Sequence, residues 1–324
     1  MQRNNILSLS IIFFMFSCSE NVAQKMREEV IWHYNVIIAP DFSNRLTVYR
    51  KPVADTAIIG AFLADIYPKI LTYKRTMYQR DKFQVDFING KQVSVYNINM
   101  AAMNIDFNKF KNNQAERIAY LQPANPNSKF ADDKRRFMQE FCRVSMTLQG
   151  KDGADIWSYL NEGFDIYKID TTEYRSKYDN ITYVNKYKNI VILLTDGYLE
   201  STDKGGAGKM LRQLSQSDIQ QFRRDYQKNA KGKSLDLFLR ESGYGILPVH
   251  NPALKNIELL VMEIDDRSVN EKGATVIPTD REIIFAFWRD WLVRSGVKHF
   301  ELLKVASTKE EACMKMLKFI GVGN

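Results

Sequence analysis

The stretch "NVIIAPDFSNRL", residues 35–46, joins an apolar run to a polar tail and decides how the chain is expected to fold. The apolar run, residues 36–39, predicts a short strand that is buried on both faces of a sheet. Asp41 and Ser43 follow at the point where such a strand would leave its sheet. Functional sites in open α/β sheets lie just outside the carboxyl ends of the strands. The stretch therefore predicts a buried strand with a functional site at its end.

The rest of the chain alternates between strand-like and helix-like segments. Two more apolar runs, at 190–194 and 257–265, predict further buried strands. Helical spacing of apolar residues or strong amphipathicity predicts helices over 58–70, 132–146, 278–296 and 309–321. This alternation predicts an α/β fold: a Rossmann-like, doubly wound, mostly parallel sheet with helices on both faces.

Three local features are less regular. Residues 91–100 are compatible with a further strand, and residues 154–168 indicate a helix that is entered through a loop containing Gly153. Ser217 is a candidate N-cap for the helix that continues through "DIQQFRRDYQK".

The tyrosine-rich span 167–188 interrupts the alternation and predicts an inserted loop or hairpin. Such a surface is either a binding patch or the outer cover of a core edge, and we favour the cover.

Composition and charge are those of an ordinary globular protein. The chain has 324 residues, of which 45% are hydrophobic and 26% charged, and its formal net charge is +8. The basic residues are mixed with acids, as in "DDKRRF", which is typical of solvated helix faces. No repeated basic and aromatic spacing is present, so we do not expect nucleic-acid binding.

The N-terminus predicts export and lipidation. An apolar run at 6–16 is too short to span a bilayer but fits a signal peptide over residues 1–17. The sequence "MFSC" resembles the lipobox of bacterial lipoproteins, which implies a lipid anchor on Cys18; a plain signal peptide is the alternative. Ser19 is not the Asp associated with inner-membrane retention, so the resemblance favours the outer membrane, facing the periplasm or the cell surface.

The remaining chain predicts one domain. Residues 18–30 are the expected lipidated tether, and 31–324 the domain, with insertions around 91–130 and 165–188. Cys142 and Cys313 lie in helix-like segments, and we expect free thiols, because pairing needs a close Cα approach.

The stretches "VIIAPDFSNR" and "VILLTDGYLE" together resemble the von Willebrand factor type A domain. That family has a Rossmann-like sheet with a metal-ion-dependent adhesion site at its top. Its first strand ends in Asp-x-Ser-x-Ser, a threonine comes from a middle loop before a helix, and a later strand often ends in Thr-Asp-Gly. The resemblance covers most of residues 31–324 in element order, but its specific part is these two stretches.

The family motif is only partly present. Asp41 and Ser43 match the first two positions, and Asp196 matches the later acid. Arg45 stands where the family has a second serine. In "DGADIWSYL" an alanine takes the threonine position, and Asp155 is its neighbour.

Three arrangements of this site remain open from the sequence. Magnesium or another divalent cation would take oxygens from Asp41, Ser43 and Asp196, with Asp155 as a further ligand. Alternatively Arg45 pairs with the carboxylates and makes the site metal-free. In the third arrangement these side chains only cap neighbouring helices.

A binding module is the function that these observations favour. The predicted protein is anchored to the membrane by its lipid and recruits a protein partner through the top of the sheet. A metal-assisted hydrolase and a structural subunit of an envelope complex are the alternatives. No zinc spacing, Gly-x-Ser-x-Gly or Walker loop is present, and "GGAGK" at 205–209 predicts a flexible loop, so we do not expect an enzyme.

Overall fold

The fold is described from a computed structural model of the chain. The structure describes residues 27–42, 53–75, 77–122, 128–148, 154–178, 180–200, 205–270 and 272–323, without the side chain of Tyr178. The predicted signal peptide, Cys18, Ser43 and Arg45 lie outside these residues, so the predictions about them stay predictions. No helix in the described ranges is both long enough and apolar enough to cross a membrane.

A mostly parallel sheet forms the centre of the protein. Its strands are β1 (Arg27–Pro40), β2 (Lys82–Val85), β3 (Asn104–Asp106), β4 (Tyr174–Tyr178), β5 (Ile181–Leu194), β9 (Glu258–Ile264) and β12 (His299–Lys304). They lie in the order β12-β9-β5-β1-β2-β3, and β4 pairs with β5 outside this row. All pairs in the row are parallel except β2 with β3. The predicted α/β fold with a mostly parallel sheet is confirmed.

Among the described residues, five short strands lie outside the central sheet and form two small sheets. These are β6 (Gly206–Ala207), β7 (Met210–Leu211) and β8 (Gly245–Ile246), which form a small sheet, and β10 (Val269–Asn270) and β11 (Gly273–Ala274), which pair with each other. The first group includes part of the glycine-rich segment that was predicted to be a loop.

Helices cover both faces of the central sheet. They are α1 (Asp55–Asp65), α2 (Lys91–Val95), α3 (Gln114–Leu121), α4 (Lys129–Leu148), α5 (Ile156–Ser158), α6 (Gln216–Asn229), α7 (Leu235–Glu241), α8 (Asp280–Arg294) and α9 (Lys309–Ile320). Single turns of 3₁₀ or π geometry lie at Ile66–Ile70, Met100–Met103, Asn108–Phe110, Tyr159–Gly163, Ile166–Lys168 and Pro252–Asn256.

The apolar run of β1 contributes to two cores because alternate residues of a strand point to opposite faces. Val36 and Ile38 pack with α1, α4 and α9 on one face. Ile37 and Ala39 pack with α6, α7 and α8 on the other. All four side chains are fully buried, as the sequence predicted for this strand.

Two local predictions from the sequence are wrong, and a third is confirmed only in part. Residues 91–100 form α2 and a following turn instead of a strand, because β3 takes the sheet position beside β2. Ser215 instead of Ser217 caps α6, because Ser215 and Asp218 form a reciprocal capping box. The helix predicted within 154–168 is present but short: α5 continues directly into the π turn at Tyr159–Gly163, and a separate 3₁₀ turn follows at Ile166–Lys168.

The tyrosine-rich span contains a hairpin in which β4 runs antiparallel to the start of β5. β1 and β5 pair along their whole length, from Arg27 opposite Ile181 to Pro40 opposite Leu194. Their first halves extend beyond β2 and β9, since β2 pairs with β1 only from Asn35 and β9 pairs with β5 only from Ile190. The first strand therefore begins inside the segment that was expected to be a tether. Cys142 and Cys313 are both free thiols.

Candidate functional site

The ends of β1 and β5 bring Asp41 and Thr195 together at the carboxyl edge of the sheet. The backbone N–H of Asp41 donates to the carbonyl of Leu194 at 2.9 Å, and the N–H of Thr195 donates to the carbonyl of Met262 on β9 at 3.0 Å. The chain passes from β1 to β2 on one side and from β5 to β9 on the other. This is a topological switch point, where crevices form in open α/β sheets.

The carboxylate of Asp41 is buried and accepts a hydrogen bond from the neighbouring strand end. Asp41 is 2% exposed, and the hydroxyl of Thr195 donates to its Oδ2 at 2.9 Å. The backbone N–H of Gly197 donates to the Thr195 hydroxyl at 3.2 Å, which fixes the direction of that hydroxyl. Asp41 is therefore fixed in position at this edge by the end of β5.

Asp196 forms a buried ion pair with Arg267, which comes from the loop after β9. Arg267 Nη2 lies 2.9 Å from Asp196 Oδ2, and the two side chains are 10% and 6% exposed. The guanidinium also lies 3.8 Å from the centroid of the Tyr198 ring and 3.7 Å from Glu200. The cation beside this carboxylate is thus supplied by a residue 71 positions further along the chain.

Asp155 caps α5. Its Oδ1 accepts from the backbone N–H of Ser158 at 2.9 Å, and its Oδ2 accepts from the Ser158 hydroxyl at 2.9 Å. The loop before α5 does reach the carboxyl edge, because Ala154 lines one small gap with Pro40 and Phe42. Asp155 thus has the capping role that the sequence left open for it.

A second polar network fixes the loop that carries Arg267. The hydroxyl of Tyr198 donates to Asp280 at 2.7 Å, and Arg223 of α6 forms a buried ion pair with the same carboxylate. Arg223 also donates to the carbonyl of Pro278 at 2.7 Å. Burial raises the pKa of Tyr198, with Asp280 adding to the rise, so the hydroxyl keeps its proton and stays a donor.

The same loop presents apolar side chains to solvent. Val269, Val276 and Ile277 are 42%, 37% and 75% exposed. They lie between β9 and α8, close in sequence to Arg267. The carboxyl edge therefore combines buried carboxylates at its centre with exposed apolar groups at one side.

The described residues hold only part of the predicted set of metal ligands. They include no group of three or more His, Cys, Asp or Glu side chains that could hold a metal ion. Thr195 bonds Asp41, and Arg267 pairs with Asp196. Because Ser43 lies outside these residues, the predicted set of ligands cannot be assembled from them, and metal binding stays a prediction.

Sequence reasoning missed Thr195, Arg267 and the Tyr198–Asp280 contact. A signal for Arg267 was present: it belongs to "DDRS", residues 265–268, directly after the third apolar strand. The positional rule that selected Asp41 and Asp196 applies equally to this segment. Nothing in the sequence, however, says that Arg267 pairs with Asp196 in particular.

Comparison with protein-family models and with curated proteins gives no match. Among solved structures, the pilus adhesin SpaC from Lactobacillus rhamnosus GG is similar over 91% of this chain and 30% of the adhesin chain. The sequence identity is 13% and the TM-score is 0.31. This chain thus spans less than a third of the adhesin, and a similarity of this size carries no argument about function.

Proposed function

We propose that this chain is a von Willebrand factor A-like binding domain that recruits a protein partner at the carboxyl edge of its sheet. The observation that carries the proposal is the buried contact between Asp41 and Thr195 at the ends of the two central strands. Asp41 and Asp196 are the two acids that match the family motifs, and they follow adjacent parallel strands. Lipidation of Cys18 and a place in the bacterial envelope, on the outer membrane, belong to the same proposal and rest on the N-terminal sequence.

The proposed partner contact has an apolar part. Val269, Val276 and Ile277 are exposed on one loop, and we infer that they form the apolar part of the contact. The buried network of Asp280, Tyr198 and Arg223 fixes the base of this loop. A fixed loop loses less conformational entropy on binding, so its apolar side chains contribute more to affinity.

The described contacts favour the metal-free form of the site. Arg267 neutralises Asp196 and is covered by Tyr198, so it supplies the charge that a cation would otherwise supply. In this form the partner binds equally well in magnesium and in a chelator. In the metal-dependent form, Ser43 would complete a ligand set with Asp41 and Asp196.

The test is cross-linked capture from the cell envelope, with the full chain as bait and the recovered partner measured in magnesium and in EDTA. We expect Ile277→Asp to lose the partner, because a charge would replace a 75%-exposed apolar contact. The matched control is Val293→Asp, 61% exposed at the far end of α8. Equal loss in both variants, or capture unchanged by Ile277→Asp, would contradict the proposed surface; loss of the partner in EDTA would contradict the metal-free form.

The hydrolase alternative has a separate readout. The same protein preparations can be assayed on generic esters and phosphates. Turnover that disappears in Asp41→Ala would replace the binding proposal with the hydrolase.

A further inference from the structure

A second pocket lies at the opposite edge of the sheet, where β2 and β3 begin and end. It has a volume of about 270 Å³ and is bordered by the β2–β3 edge, by β5 and by residues 167–172 of the tyrosine-rich span. Its deepest strand residue, Asn35, is six residues before Asp41, which corresponds to about 20 Å along a strand. We call it the amino-edge pocket, and it is separate from the carboxyl-edge site.

The floor of the amino-edge pocket is rigid. Asn35 is buried and donates to the carbonyl of Lys168 at 2.8 Å and to the side-chain oxygen of Asn189 at 2.8 Å. Asn189 in turn donates to the carbonyl of Asp170 at 2.9 Å and accepts from its N–H at 2.8 Å. A satisfied buried network of this kind holds its members in one geometry. The segment 168–170 therefore forms a fixed wall.

The walls carry two cations and two anions. Arg80 and Lys82 line the pocket together with Asp106 and Asp170. A third cation at the rim, Lys168, already pairs with a carboxylate outside the pocket. Because the four charges cancel, the lining favours neither an anion nor a cation and suits a ligand without net charge.

These groups keep hydrogen-bonding capacity beyond the contacts that they make with the protein. The Oδ1 atoms of Asp106 and Asp170 accept from nearby backbone N–H groups at 2.7 and 2.9 Å, and the described contacts leave their Oδ2 atoms available. Arg80 uses two of its five N–H donors, on Asn108 and Asn112. Residues with spare donors and residues with spare acceptors thus line the same pocket, which matches hydroxyl groups, since each hydroxyl both donates and accepts.

Two tyrosines complete the pocket. The hydroxyl of Tyr187 is buried and has no hydrogen-bond partner among the residues that the structure describes. The side chain of Tyr167 is 91% exposed at the rim and offers an apolar ring face. An exposed aromatic ring beside a polar floor suits a ligand that has an apolar face and a hydroxylated edge.

We propose that the amino-edge pocket binds a neutral saccharide unit. The hydroxyls bond to Arg80, Lys82, Asp106 and Asp170, and the carbon–hydrogen face packs on Tyr167. This site uses part of the tyrosine-rich span and does not depend on the carboxyl-edge function.

The test is saturation-transfer-difference NMR on the full chain with glucose, galactose and N-acetylglucosamine as probes. We expect a signal from at least one sugar. Asp106→Asn weakens a charge-assisted hydrogen bond and should lower affinity about tenfold or more. Tyr167→Ala should weaken binding without affecting folding, because its side chain is almost fully exposed.

The matched control is Asp132→Asn on α4, an exposed carboxylate outside the pocket, which should retain the signal. No signal from any of the three sugars would overturn the proposal. A signal that survives both Asp106→Asn and Tyr167→Ala would also overturn it, as would a signal from glycine or acetate in place of the sugars. Partner capture is measured separately, so failure of one proposal is distinguishable from failure of the other.

Discussion

The ion pair between Asp196 and Arg267 is the residue-scale contact that most defines the carboxyl edge. Both side chains are almost completely buried. Removing one partner of a buried pair leaves an uncompensated charge, which costs more than the pair contributes. We expect Arg267→Ala to lower the free energy of unfolding by about 3–5 kcal/mol in urea denaturation.

An exposed ion pair in the same protein gives the control for Arg267→Ala. Arg289 and Asp236 pair at 2.8 Å with about half of each side chain exposed. Surface pairs contribute roughly 0–1 kcal/mol, so Arg289→Ala should change stability only slightly. Similar losses in the two variants would mean that Arg267 is not held in a buried pair.

The buried position of His33 predicts that the stability of the protein depends on pH. Its Nδ1 accepts from the Arg75 side chain at 3.0 Å and from the Arg80 N–H at 3.3 Å, while Nε2 bonds Asn185 at 2.9 Å. The proton of the neutral ring therefore sits on Nε2. Burial lowers the pKa of His33 below its usual value of 6.5, although the Asp81 charge opposes this.

The sign follows from the lowered pKa. The unfolded chain takes up a proton on this histidine at a higher pH than the folded chain does, so acidification favours unfolding. The contribution of neutral His33 to the stability of the fold is fully present above pH 6.5. It is lost as the pH falls from there through the lower pKa of folded His33. Urea denaturation between pH 7.5 and 5.5 should show this slope, and His33→Gln should reduce it; an unchanged slope in the variant would contradict the assignment.

At the scale of elements, α6 shows how local chemistry fixes the start of a helix. The Ser215 hydroxyl accepts from the Asp218 N–H, and the Asp218 carboxylate accepts from the Ser215 N–H. Ser215→Ala should lower the free energy of unfolding by about 1 kcal/mol, as loss of an N-cap does. Ser217→Ala is the matched control and should change it less, because Ser217 is inside the helix and contacts the cap only through its hydroxyl, 2.8 Å from that of Ser215. A larger loss of unfolding free energy in Ser217→Ala than in Ser215→Ala, measured by urea denaturation, would mean that Ser217 is the cap, as the sequence suggested.

Elements with long periodic patterns were predictable, and irregular ones were not. The predicted helix over 132–146 is α4, and the predicted final helix is α9, because their apolar residues repeat at the helical period over several turns. The segment 91–100 has β-branched residues but no strand to pair with once β3 is in place. Such pairing depends on distant residues, which a local pattern does not record.

At the scale of the whole molecule, one sheet has two different polar ends. The carboxyl edge holds buried carboxylates, each bonded by a group from a neighbouring element. The amino edge holds a pocket of mixed charges, which exists because β1 and β5 extend past the neighbouring strands and the segment after α5 crosses them. The fold thus places one proposed binding site at the carboxyl end of β1 and the other beside Asn35, where the pairing of β1 with β2 begins.

The sequence by itself determined the buried strands and the acids that end them. An apolar run needs burial on both faces, and the first polar residue after it must leave the sheet, so the positions of Asp41 and Asp196 follow from local order. Only the tertiary structure decided that Arg267 neutralises Asp196 and that Asp106 and Asp170 share a pocket. These contacts join residues far apart in the chain, and they form only once strand order and register have made those residues neighbours.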